Sequence, residues 1–179
     1  MPITATDILF KLSVTTTPGN TNAQGNVNLS LGEFMASTQI TDATLNNLFD
    51  DVSGDENAAS DVEYRCIFVH NNHATLTWQS VVVWLSAEVA GGANVAIGID
   101  TNAATVNNSG PAQALEVVDE STAPGGVSFS SPTTKPTGLS VGNLAAGYCR
   151  AIWVRRSATA SAALNNDGAT IRCEGDTAA

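Results

Sequence analysis

The chain has 179 residues, of which only 13% are charged, 7 basic against 17 acidic, for a formal net charge of -10. That length suits one domain with a real core and excludes two full-sized domains with a linker. The shortage of Lys and Arg argues against nucleic acid as a partner, because affinity for a phosphate backbone comes mainly from cationic side chains.

Residues 1–60 read as an extended N-terminal arm. The first residues carry no basic leader, so no exported N-terminal signal is expected. The stretch TTTPGNTNAQGNVN is polar and turn-forming. Apolar side chains gather only at Ile8, Leu9, Phe10 and Leu12 and at Leu29, Leu31, Phe34 and Met35, too few to build a core. Further on, TDATLNNLF offers an N-cap at Thr41 or Asp42 and apolar Leu45, Leu48 and Phe49 at helical spacing, which predicts one short helix.

An acidic stretch follows, with Asp50, Asp51, Asp55, Glu56, Asp61 and Glu63 around Gly54. An EF-hand loop with Gly54 at its sixth position would begin at Phe49 and end at Ser60, so neither anchoring carboxylate is present. A looser calcium site using Asp50, Asp51, Asp55 and Asp61 is the alternative to a solvated hinge where the arm leaves the next domain. The hinge is the reading adopted, with no metal and no cofactor.

From residue 61 to 179 the chain turns to short runs rich in Val, Ile and aromatics, bounded by Gly, Pro, Asn and Asp, the pattern of an all-β domain. Strands are predicted at 63–70, 76–88, 93–100, 113–119, 126–131, 137–141, 147–157 and 168–174. The last alternates cleanly, with Ala169, Ile171 and Cys173 on one side and Thr170, Arg172 and Glu174 on the other. Gly91-Gly92 and the NNDG run at 165–168 supply hairpin residues. The expected fold is a two-sheet antiparallel sandwich, jelly-roll or immunoglobulin-like.

The run VVVWL at 81–85 is apolar on both faces. It is expected to be covered by the opposite sheet and by either the arm or a partner subunit. It is far too short for the roughly 20 residues of a membrane helix, so a soluble chain with no membrane partner is expected. Cys66, Cys149 and Cys173 each sit in a strand-like run, which suits buried reduced thiols. One disulfide remains open if two of those strands are neighbours.

Three constellations resemble chemical motifs. GLSVG at 138–142 matches a nucleophile elbow around Ser140, but a strand and not a helix follows it, and both histidines precede the serine. His70 and His73 in HNNH lack partners at metal-ligand spacing and read as turn chemistry. A glycosidase would need paired acids in an aromatic cleft. Trp78, Trp84 and Trp153 lie in strands, and only an exposed one would favour sugar binding. No catalytic residue is assigned.

The segments LNNLFDDVSGDENAASDVEYRCIFVHNNHATLTW, GNLAAGYCRAIWVRR and ALNNDGATIRCEGDT resemble small virion structural proteins of tailed bacteriophages. The resemblance implies a capsid decoration, or cement, protein on the outer shell of the virion. Its partner would be the major capsid protein, and it would form a homo-oligomer, with a trimer favoured. The arm would then lay Ile8, Leu9, Phe10, Leu12, Leu29, Leu31 and Phe34 against the capsid or a neighbouring subunit. The alternatives are a tail, neck or baseplate component, or a carbohydrate-binding module that touches the host surface.

Overall fold

Two long runs rich in β-branched and aromatic side chains pair with each other, antiparallel and in unbroken register from Val62↔Ser157 to His70↔Cys149. They form the centre of an all-β, two-sheet sandwich. The computed structural model describes residues 2–16, 21–107, 110–162, 164 and 167–177. In chain order the elements are β1 (Ile8–Val14), β2 (Phe34–Gln39), helix α1 (Gly54–Ala59), β3 (Val62–Asn71), β4 (Trp78–Glu88), β5 (Asn94–Ile99), β6 (Thr105–Val106), β7 (Leu139–Leu144), β8 (Tyr148–Ser157) and β9 (Ala169–Thr177). One sheet runs β2-β1-β3-β8-β5, with β6 also on β8; the other runs β7-β4-β9.

Period-two alternation explains the layers. Ile67 and Val69 of β3 and Ile152 and Val154 of β8 face inward onto Val81, Val83 and Leu85 of β4. The intervening Cys66, Phe68, Ala151 and Trp153 face outward. That outer face is as apolar as the inner one, and leaving side chains such as Phe68 or Trp153 in water would forfeit roughly 1.5–3 kcal/mol each. The stretch between β5 and β7 folds over it, contributing Ala114, Leu115, Val117, Val127 and Phe129 as a third layer. The predicted strands at 113–119 and 126–131 belong to this cover and make only the single bridges Gly32↔Glu116 and Ile97↔Ser130. Gly32 is required there: at φ +108, a Cβ would sit 1.8 Å from the Leu115 carbonyl oxygen.

Residues 1–60 are not an extended arm. β1 pairs with β3 from Ile8↔Asn71 to Leu12↔Ile67, and β2 pairs with β1, so both belong to the large sheet. Ile8, Phe10, Leu12 and Val14 follow strand periodicity, a signal obscured by the polar residues around them.

The short helix also lies elsewhere. Ala43 (φ 54) and Asn46 (φ 57) adopt left-handed backbone and break the predicted helix before Phe49. The helix is α1, whose N-cap Ser53 accepts from Glu56 N while Glu56 Oε2 accepts from Ser53 N at 2.6 Å. This is a capping box legible in the sequence as Ser-x-x-Glu.

The second face of 81–85 is covered within the chain. Trp84 is 6% exposed with the Arg172 guanidinium over its ring, and Val82 packs at Gly138, where a Cβ would meet its Cγ1 at 2.4 Å. Cys66, Cys149 and Cys173 are free thiols. β3 and β8 are neighbours, yet Cys66 faces Trp153 and Cys149 faces His70, four positions out of register for a disulfide. Gly91 takes φ +87, and Gly92 leaves room for the Asp167 carboxylate, which accepts from Ala93 N at 2.6 Å. Asn165 and Asn166 of the predicted NNDG turn lie outside the described residues.

Candidate functional site

The seven predicted contact residues separate into three groups. Leu12, Leu31 and Phe34 are buried in the chain's own core and cannot reach a capsid in this fold. Leu9 is half-buried, and Leu29 is 54% exposed. Ile8 and Phe10 line two adjoining open clefts of about 480 and 360 Å³. The smaller runs between β1 and residues 171–175 of β9, with Trp78 at its side; the larger continues past Phe10 to Ile40 and Asp42. Sequence reasoning did not connect β9 with β1, because they are far apart in the chain and in different sheets.

The acidic stretch does structural work at both of its ends. Arg156 of β8 donates through Nε to Glu63 Oε2 at 2.7 Å, and its Nη2 bonds the same oxygen and Asp50 Oδ1. Arg156 Nη1 bonds the Asp50 carbonyl oxygen. Arg65, fully buried, donates through Nη2 to Glu120 Oε2 at 2.5 Å and to Asn28 Oδ1 at 2.8 Å. Phe49 stacks on both guanidinium groups, at 5.1 Å from Arg65 and 4.8 Å from Arg156. Partial burial alone would raise the Asp50 carboxyl, but the Asn28 amide and the Arg156 charge hold it below its ordinary range. Burial raises the Glu63 carboxyl, with Arg156 opposing. Asp50, held by Asn28 and Arg156, ties the 28–50 segment to the sandwich, and Arg65 ties in Glu120, so the two ends of the acidic stretch are anchored and do not form a solvated hinge.

Other buried polar groups are engaged only in part, since Arg65 Nε, His70 Nδ1, Arg150 Nε and Arg155 Nε find no hydrogen-bond partner among the described residues. Asp100 accepts from Trp153 Nε1 at 2.7 Å and Leu115 N at 3.0 Å through Oδ2, and from Asn102 N through Oδ1. His70 is fully buried, with Nε2 at 3.2 Å from Asn107 Nδ2. Burial, with Lys11 nearby, pushes its pKa down to about 4. His73 accepts from Thr75 N and Leu76 N through Nδ1, so HNNH shapes a turn. Burial pushes the Cys149 thiol up to about 12 and raises Cys66 and Cys173 as well, which suppresses thiolate chemistry.

Among the described residues, no three His, Cys, Asp or Glu side chains are placed to hold a metal ion, and no helix is long and apolar enough to cross a membrane. Ser140 stands exposed on β7. Trp78, Trp84 and Trp153 are 5%, 6% and 0% exposed, so none offers a face to a sugar.

Charge is distributed unevenly between inside and outside. Three of the 7 cationic side chains, Lys11, Arg65 and Arg156, are buried, against Glu63 and Asp100 of the 17 acids. Of the exposed cations, Lys135 and Arg172 both pair with Glu174. The exterior is accordingly strongly anionic. No family model, curated protein or solved structure matches the chain.

Proposed function

We propose that the chain is a structural protein of a tailed bacteriophage virion, a decoration protein that binds the outer capsid shell and stabilises it without catalysis. The observation that carries this reading is the charge distribution. The fold holds three of its seven cations inside and presents an acidic exterior. A rigid anionic block suits docking on a cationic protein surface and repels nucleic acid. The resemblance of residues 45–78, 142–156 and 163–177 to small phage virion proteins supports the major capsid protein as that surface and implies copies grouped as trimers. Side chains from Ile8, Phe10 and Leu29 remain available for contact, whereas Leu12, Leu31 and Phe34 belong to the core.

The test is fractionation and add-back. The protein should be present at the copy level of the shell subunit, on the order of hundreds per particle. Purified protein should rebind stripped capsids and lose affinity as ionic strength rises. A handful of copies per particle would assign it to the tail, neck or baseplate instead, and absence from particles would overturn the reading.

A further inference from the structure

The two sheets are unequal. A sheet of five strands in sequence, with β6 added, faces one of only three, and β9 ends the small sheet beside the cleft. Five consecutive β9 residues, 171–175, line that cleft. A strand face contributes only alternate residues, so the cleft runs along the strand's edge and exposes its backbone.

The other edges are blunted. β2 is covered by Ser37 N donating to Asn22 O and by Gln24 N donating to Thr38 Oγ1. β5 is covered by two bonds between Ile97 and Ser130. On β7, Arg150 Nη1 reaches the Val141 carbonyl. Among the described residues, nothing but β4 bonds the backbone of β9. A nine-residue edge left open in this way is a template for another strand.

The cleft floor suits the same occupant. Ile8 and Phe10 lie across from the β9 edge, and both are only partly buried. Trp78 stands at the side of the cleft, its indole nitrogen so close to Gly175 that a Cβ there would lie 2.7 Å away. An added strand would bring backbone carbonyls to this wall.

We propose that the free edge of β9 is a strand-addition site: an extended segment of a protein partner, apolar at alternate positions and basic at its flanks, pairs with residues 171–175 and lays its apolar side chains on Ile8 and Phe10. Charge favours basic flanks. Glu174 is already engaged by Lys135 and Arg172, which leaves Asp176 on β9 and Asp42 at the mouth of the cleft as the acids without a cation among the described residues. A second copy would bring its own Asp42 and Asp176 to this edge, with its Lys135 and Arg172 already held by Glu174, and is disfavoured as the occupant. Main-chain bonds supply affinity in this mode and the alternate pockets supply selectivity. The inference stands on this edge and holds or fails independently of the shell reading.

The test uses the full chain and the synthetic peptide Lys-Lys-Val-Thr-Val-Thr-Ile-Thr-Val-Lys-Lys, read by hydrogen exchange. At about 1 mM peptide, the amides of residues 171–175 should slow by about tenfold or more, with the β2 and β7 edges unchanged. A peptide with Pro at its centre, or with Glu flanks, should lose most of this protection. I171K, which places an ammonium in the cleft, should abolish it; where I171K fails to fold, the Pro-interrupted peptide carries the test. Unchanged β9 amides at that concentration, or equal protection by the Pro-interrupted or Glu-flanked peptide, would overturn the proposal. Self-association without peptide that slows the same amides would give the edge to a second copy and overturn it too.

Discussion

Glu63 and Arg156 are direct cross-strand partners in the β3–β8 ladder, and their side chains meet at 2.7 Å in a site that leaves both residues under a tenth exposed. The pair closes the end of the two central strands and holds Asp50 and Phe49 against it. Removing one member leaves a buried charge uncompensated. R156A is therefore expected to cost about 3–5 kcal/mol, and the double variant E63L/R156M much less. Urea unfolding of both, on the same protein preparation, checks the difference.

Asp100 ties the outer cover to the central sheet by accepting from both Trp153 Nε1 and Leu115 N. D100N presents an amide N–H₂ to donors and should cost about 1–3 kcal/mol. The cover should loosen before the sandwich does. Hydrogen exchange should therefore accelerate around residues 113–117 while the β3 amides stay slow.

Gly32 carries the opposite end of that contact. G32A adds a Cβ against the Leu115 carbonyl at a φ of +108, and neither strain can relax without moving the backbone. A loss of about 2–4 kcal/mol is expected, against a much smaller change for G25A, where a Cβ meets nothing within 4 Å. Paired thermal melts of the two variants give the comparison.

His70 should make stability depend on pH. Its folded pKa of about 4 lies below the ordinary 6.5, so the unfolded chain binds the proton first as pH falls. Its contribution is complete above pH 6.5 and is lost progressively down to about pH 4, on the order of 3 kcal/mol. H70N, which keeps an amide near Asn107, should flatten the unfolding free energy across that window. An unaltered slope would show that other groups set it.

The free thiols give a readout of packing. Cys66 and Cys149 are 0% and 1% exposed and should not react with a thiol reagent until the chain unfolds. Cys173 lines the β9 cleft and should react slowly in the native protein. Rapid native labelling at Cys66 would contradict the closed outer layer.

Much of the fold was legible because the strand signal is local. β9 carries its own alternation, β3, β4 and β8 carry continuous runs of Val, Ile and aromatic side chains, and the predicted boundaries fall within a few residues of the observed ones. The runs EYRCIFV and CRAIWVRR, both rich in apolar residues, are neighbours at the centre of one sheet. The α1 capping box was also present in the letters Ser53-x-x-Glu56, although the apolar spacing of Leu45, Leu48 and Phe49 pointed to a helix further upstream.

What the sequence by itself determined is the class of structure: alternating apolar residues make half-buried strands, a shortage of cations makes an acidic body, and neither depends on what lies across the core. Only the tertiary structure decided where the unpaired pieces go. Residues 8–14 and 34–39 became sheet because β3 offered a free edge and an apolar face to cover; Arg65 and Arg156 turned from surface charges into buried ties because Glu63, Asp50 and Glu120 converged on them. The open edge of β9 is likewise a property of topology. Whether a strand has a neighbour on its far side depends on residues far away in the chain, and no local pattern records it.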